Sequence, residues 1–145
     1  LIAGARGVLE RAGAGVDVVA VPGALEIPVA IRLAAASHAY EGFVALGCVI
    51  RGETTHYETV CNDSSRGLML LGIERGLAIG NGILTVETMA QAEVRADPAG
   101  QDKGGGAAAA ALHLVALARR FTGGGHPPGM SPETMIAAAP HTRTA

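Results

Sequence analysis

The chain has 145 residues and a formal net charge of −2, which is room for one domain with a core and too little for two, and it lacks the basic block that a nucleic-acid binder needs. Hydrophobic residues make up 49% of it but aromatic ones only 3%, with no Trp, so the core is expected to be Ala, Val, Leu and Ile packed between helices and a buried sheet. No stretch approaches the roughly 20 uninterrupted apolar residues of a membrane span, and Arg6, Glu10 and Arg11 interrupt the place where a leader would be apolar, so a soluble, cytoplasmic protein is expected.

In chain order, Leu1, Ala5, Val8, Leu9 and Ala12 fall on one helical face. The pattern is already running at position 1, which is Leu and not Met, so an element upstream of it is expected. Gly13 and Gly15 break the helix. Val16–Val21, apolar and β-branched apart from Asp17, predicts a strand buried on both faces, as in a parallel sheet. Pro22-Gly23 ends it, and Ala24–Ala36 shows helical spacing through Ile27, Ala30, Ile31 and Ala34, with Pro28 tolerated in the first turn. Gly42–Ile50 predicts a second buried strand. Gly52 turns the chain, Thr54 or Thr55 is the expected N-cap of a helix reaching about Arg75, and Gly76 suits its C-terminal cap.

Ala78–Thr85 predicts a third strand, where Gly80 and Gly82 are read as the close approach of a ligand or of another chain. A short helix from Thr88 to Arg95, a loop over Asp97–Gly106 and an Ala-rich helix to Phe121 follow. Thr122–Ala145 has no periodicity and is expected to be a mobile tail. Cys48, in an apolar run, and Cys61, in a helix, lack CxxC spacing and are expected to be two buried, reduced thiols. Residues 1–121 thus read as one α/β domain with a parallel sheet, whose ligands bind beyond the carboxyl ends of its strands. That rule selects residues 22–26, 49–56 and the loops after Thr85.

The densest polar cluster is Arg51-Gly52-Glu53-Thr54-Thr55-His56-Tyr57-Glu58. First-turn backbone N–H groups have no partner inside a helix and favour an anion, so this segment reads either as a phosphate or carboxylate site or as an ordinary capped helix. His56 is either a proton shuttle, since an imidazole titrates near neutrality, or a surface histidine. Glu53-x-x-His56 has the spacing of a di-metal carboxylate site, but that site needs a second such pair, so no metal is expected. Glu26, within Ala24-Leu25-Glu26-Ile27, reads as an acceptor for a polyol or as a helix-start carboxylate. Lys103 is the only lysine and precedes three glycines. It is out of order for a P-loop and by itself reads as a solvated turn, though with Arg95 it can set two cations near a phosphate.

Two segments go further. Val21-Pro22-Gly23-Ala24-Leu25-Glu26-Ile27-Pro28 and Gly47-Cys48-Val49-Ile50-Arg51-Gly52-Glu53-Thr54-Thr55-His56-Tyr57 resemble, in order and separation, the signature segments of the 6,7-dimethyl-8-ribityllumazine synthase family. The resemblance continues through Gly82–Thr88, Gln91-Ala92, Arg95-Ala96 and Lys103-Gly104, and runs from Leu1 to about Phe121. It implies a flavodoxin-like three-layer α/β/α sandwich, with that family's first strand absent from this sequence. It implies a transferase of riboflavin biosynthesis that condenses 5-amino-6-(D-ribitylamino)uracil with 3,4-dihydroxy-2-butanone 4-phosphate and needs no cofactor or metal.

By position, the resemblance implies that Ala24, Leu25, Glu26, Cys48, Val49 and Ile50 hold the ribitylaminouracil. Glu53 and Thr54 would cradle the phosphate, His56 would shuttle protons, and Arg95 with Lys103 would supply cations. It further implies homo-oligomers, pentamers or assemblies of them, in which Asn81, Arg95 and Lys103 come from the adjacent chain, and riboflavin synthase as a partner. Asn81 stands where many of the family carry an aromatic. The competing readings are a non-catalytic shell or assembly paralogue, an inactive truncated product, and another flavodoxin-like enzyme acting on a sugar phosphate.

Overall fold

The computed structural model of the chain describes residues 1–122. Its elements are α1 (Ile2–Arg11), α2 (Glu26–Ala35), β1 (Phe43–Ile50), α3 (His56–Arg75), β2 (Ile79–Val86), α4 (Met89–Ala96) and α5 (Lys103–Thr122). Of the tail expected over 122–145, Thr122 ends α5 and the rest lies outside the described residues.

β1 and β2 pair in parallel, in a register running from Phe43 opposite Ile79 to Ile50 opposite Val86. Helices cover both faces, α2 and α3 on one side and α4 and α5 on the other, with α1 packed on α5. This is the three-layer α/β/α arrangement. On the first face Ile27, Ile31, Ala45 and Leu68 form the core. On the other, Leu84, Val86 and Ala92 cluster, and Ala107, Ala108 and Ala111 of α5 are buried. Alternation along β2 follows from this: Gly80, Gly82, Leu84 and Val86 are buried, whereas Asn81 and Thr85 are exposed.

The helix ends follow local chemistry. Gly76, at φ 64°, terminates α3 in the left-handed conformation that costs glycine no Cβ clash. Thr88 caps α4, its hydroxyl accepting from the Gln91 N–H at 3.3 Å. Pro28 stands in the first turn of α2, where its missing N–H removes no helical bond.

Four expectations are corrected. Val16–Val21 forms no strand: Val18 and Val19 are exposed and only Val21 packs on the core. A strand exists only where a neighbour answers its N–H and C=O groups, and among the described residues β1 pairs with β2 alone. Gly104–Gly106 lie not in a loop but in the first turn of α5. Two of them must be small: a Cβ on Gly104 would lie 2.1 Å from the Leu1 carbonyl oxygen and one on Gly105 2.1 Å from the Asp102 carboxylate, which accepts from the Gly105 N–H at 3.0 Å.

The close approach at the glycines of β2 is that of this chain's own helix, since a Cβ on Gly80 would lie 1.8 Å from the Ala107 carbonyl oxygen and one on Gly82 2.9 Å from the Ala107 Cβ. Both thiols are free, but Cys48 is exposed and Cys61 half-buried. Among the described residues no helix seals the face of β1 over Cys48 as one does over Ala45.

Candidate functional site

The carboxyl end of β1 and the start of α3 gather one group of the expected residues. Val49 and Ile50 end β1, Arg51 and Gly52 leave it, and Glu53, Thr54 and Thr55 lead into His56, the first residue of α3. Residues 51–56 are all exposed. Thr55 is the residue before the helix, but its side chain makes no capping bond. Instead the Thr54 hydroxyl accepts from the His56 N–H at 3.4 Å, which leaves the hydroxyl proton available to a ligand. Among the described residues nothing accepts from the backbone N–H of Glu53, Thr54 or Thr55. A run of free donors beside a helix start can hold an anion.

Ala24, Leu25 and Glu26 enter α2 on the same face of the sheet as α3. A side chain at Gly47 would meet Ile27 at 3.5 Å and one at Gly67 would meet Pro28 at 2.8 Å, so the first turn of α2 wedges between β1 and α3. Glu26 itself is exposed, its carboxylate over Gly23.

A second group stands apart. Asn81, Arg95 and Lys103 line one open cavity of about 340 Å³ along β2 and the start of α5, together with Thr85 and Gly106. The Asn81 carboxamide oxygen accepts from the Ile83 N–H at 3.0 Å. Arg95 donates to the Gln91 carbonyl at 3.1 Å and is only half-buried. Neither His56 nor Glu53 and Thr54 belong to this lining. One chain therefore carries two groups of expected residues, a loop with free N–H donors and an imidazole, and a cavity lined by two cations. Among the described residues no cluster of His, Cys, Asp or Glu stands ready to hold a metal ion.

In the sequence Arg51 stands out only as one member of a polar run. Its Nε donates to Glu87 at 2.7 Å, its Nη1 pairs with Glu58, and its guanidinium carbon lies 4.1 Å from the centre of the Tyr57 ring. The Arg51 guanidinium holds the Glu58 carboxyl below the usual carboxylate range. The signal was available: once two parallel strands are recognised, Arg51 and Glu87 leave them on the same rung.

A layered α/β domain with polar loops at its strand ends defines the class that binds small metabolites beyond the sheet. The profile of the 6,7-dimethyl-8-ribityllumazine synthase family matches residues 1–119. Among similar proteins, the 6,7-dimethyl-8-ribityllumazine synthase of Novosphingobium aromaticivorans is 60% identical over 122 residues, covering 84% of this chain and 87% of its own length. That of Azorhizobium caulinodans is 60% identical over 125 residues, covering 83% and 77%, and that of a Jannaschia species is 55% identical over 120 residues, covering 83% and 67%. The chain belongs to the 6,7-dimethyl-8-ribityllumazine synthase family, a flavodoxin-like α/β fold.

Proposed function

We infer that the chain catalyses the family's reaction in riboflavin biosynthesis, the condensation of 5-amino-6-(D-ribitylamino)uracil with 3,4-dihydroxy-2-butanone 4-phosphate, as a transferase at a site shared between protomers. The observation that supports the shared site is that, within one chain, His56 is not among the residues lining the cavity of Arg95 and Lys103. An amine attacks the ketone and water leaves, phosphate is eliminated, and the ring closes on the second carbonyl with loss of another water. Every step moves a proton, and an imidazole can both take and give one.

In this reading the free N–H groups at 53–55 and the Thr54 hydroxyl hold the phosphate, while Arg95, with Lys103, meets its developing charge. Glu26 accepts from the ribityl hydroxyls, and Ala24, Leu25, Cys48, Val49 and Ile50 hold the pyrimidine. Asn81, whose carboxamide oxygen is already engaged, offers its amide nitrogen as a hydrogen-bond donor. Holding both reactants in line supplies much of the rate.

Large apolar side chains support self-association. Val29 and Leu33 of α2 and Met69 and Ile73 of α3 are exposed, Ile73 at 74%, and faces of this kind mark interaction surfaces. A cyclic homo-oligomer, a pentamer or an assembly of pentamers, belongs to this reading, as do a cytoplasmic location and riboflavin synthase as a partner. Among the described residues no helix is long and apolar enough to cross a membrane.

Supplying both substrates and following lumazine absorbance and phosphate release tests the reaction. His56→Ala is expected to lower kcat by about a hundredfold, the scale of a lost general acid–base, with little change in KM. Arg95→Ala is expected chiefly to raise KM for the sugar phosphate. No product above the spontaneous rate from the parent chain contradicts the reading, and so does equal loss of affinity for the pyrimidine in both variants.

A further inference from the structure

We propose that Arg51 is a positioning residue which staples the loop carrying His56, a role that rests on the reaction assigned above. The side chain starts at one end of residues 52–56 and ends on the other, pairing with Glu58 and lying over the Tyr57 ring, both in the first turn of α3. Its Nε reaches across to Glu87 at 2.7 Å, just beyond β2, and its own N–H donates to the Val86 carbonyl at 2.9 Å, continuing the ladder of the sheet. One planar guanidinium thus fixes both ends of the loop to each other and to the neighbouring strand. A lysine has no fork with which to reach two carboxylates at once.

The linkage continues past Glu87. Its N–H donates to the Gln91 side-chain oxygen at 2.8 Å, and the Gln91 carbonyl accepts from Arg95 at 3.1 Å. Arg51 is therefore joined through three hydrogen bonds to the guanidinium of Arg95. It touches no reacting atom in this account. Its effect on the chemistry is to keep the free N–H groups at 53–55 and the imidazole at 56 in one arrangement before substrate arrives.

Arg51→Gln and Glu87→Gln, made in the full chain, test this with two readouts. In both variants kcat is expected to fall about tenfold, the scale of a misplaced catalytic group, while KM for ribitylaminouracil stays within about twofold. Amide hydrogen exchange at Arg51, Glu58 and Thr59, whose N–H groups are bonded at the two ends of the loop, is expected to quicken with assembly and thermal midpoint unchanged. Wild-type kinetic constants and exchange in both variants overturn the proposal. So does tighter binding of inorganic phosphate by Glu87→Gln, because that result means Arg51 is a phosphate cation which the carboxylate restrains. If Arg51→Gln fails to fold, Glu87→Gln, which alters a single exposed carboxylate, decides alone. A parent chain that makes no lumazine refutes the reaction assigned above, and the exchange measurement then decides the role of Arg51 by itself.

Discussion

Two of the exposed ion pairs on the domain, one between residues 78 apart in sequence and one between residues seven apart, shift a carboxyl group. Arg119 of α5 pairs with Glu41 ahead of β1 at 2.5 Å, and Arg51 pairs with Glu58. In each, the arginine holds the carboxyl below its ordinary value, chiefly through the side-chain hydrogen bond. The folded carboxyls thus lie below the unfolded value of about 4.3, so whatever they contribute is complete above that pH and is lost as the pH falls through the folded value. Both pairs are exposed, so the contribution is small and screened by salt. The thermal midpoint of Glu41→Gln is expected to sit below that of the parent at pH 7 and to converge on it in acid, with a smaller gap in high salt. A gap that widens as the pH falls contradicts this.

At this scale the sequence was partly legible. Gly76 at a left-handed turn and Thr88 as a cap have short-range causes and could be read directly. The partners of Arg51 and of Arg119 lie up to 78 residues away and depend on the strand register and on helix packing, which no local pattern encodes.

Among the elements, the contact of α5 with β2 is set by glycine. Gly80→Ala would drive a methyl group into the Ala107 carbonyl, and overpacking of this kind costs about 1–3 kcal/mol. Gly72, inside α3, has only the Leu77 carbonyl oxygen within reach of a Cβ, at an ordinary 3.8 Å. Gly72→Ala is therefore expected to stabilise by about 0.5–1 kcal/mol through its helix preference. Denaturant midpoints of the two variants, moving in opposite directions, check this, and a neutral Gly80→Ala contradicts it.

The same contact explains where the sequence reading failed. Gly80 and Gly82 mark a close approach, and that much is legible, but only the fold says that the approaching backbone is residue 107 of the same chain. The run Gly104–Gly106 resembles a flexible loop because helix propensity counts against it, yet packing against Leu1 and α1 overrides propensity. Val16–Val21 has the composition of a strand, but composition cannot supply the hydrogen-bonding neighbour that a strand requires. β1, β2 and α2–α4 were read to within about two residues at their ends, because their apolar periodicity and their punctuation by Gly, Pro and Thr agree.

For the whole molecule, the account turns on where one chain ends and the next begins. The imidazole of His56 and the cations Arg95 and Lys103 belong to different regions of a single chain, and the resemblance that ran through both signature segments assigns them to neighbouring protomers. In the proposed ring of heterologous contacts, each site would draw its loop from one subunit and its cations from the next. This arrangement makes a specific demand that an enzyme with self-contained subunits does not. Mixing His56→Ala chains with Arg95→Ala chains and reassembling them at equal ratio tests it most directly. The account predicts recovered lumazine synthesis at roughly a quarter of parental sites, the share in which an intact His56 meets an intact Arg95 across a heterologous interface. Reassembled mixtures no more active than the two variants kept apart would contradict it.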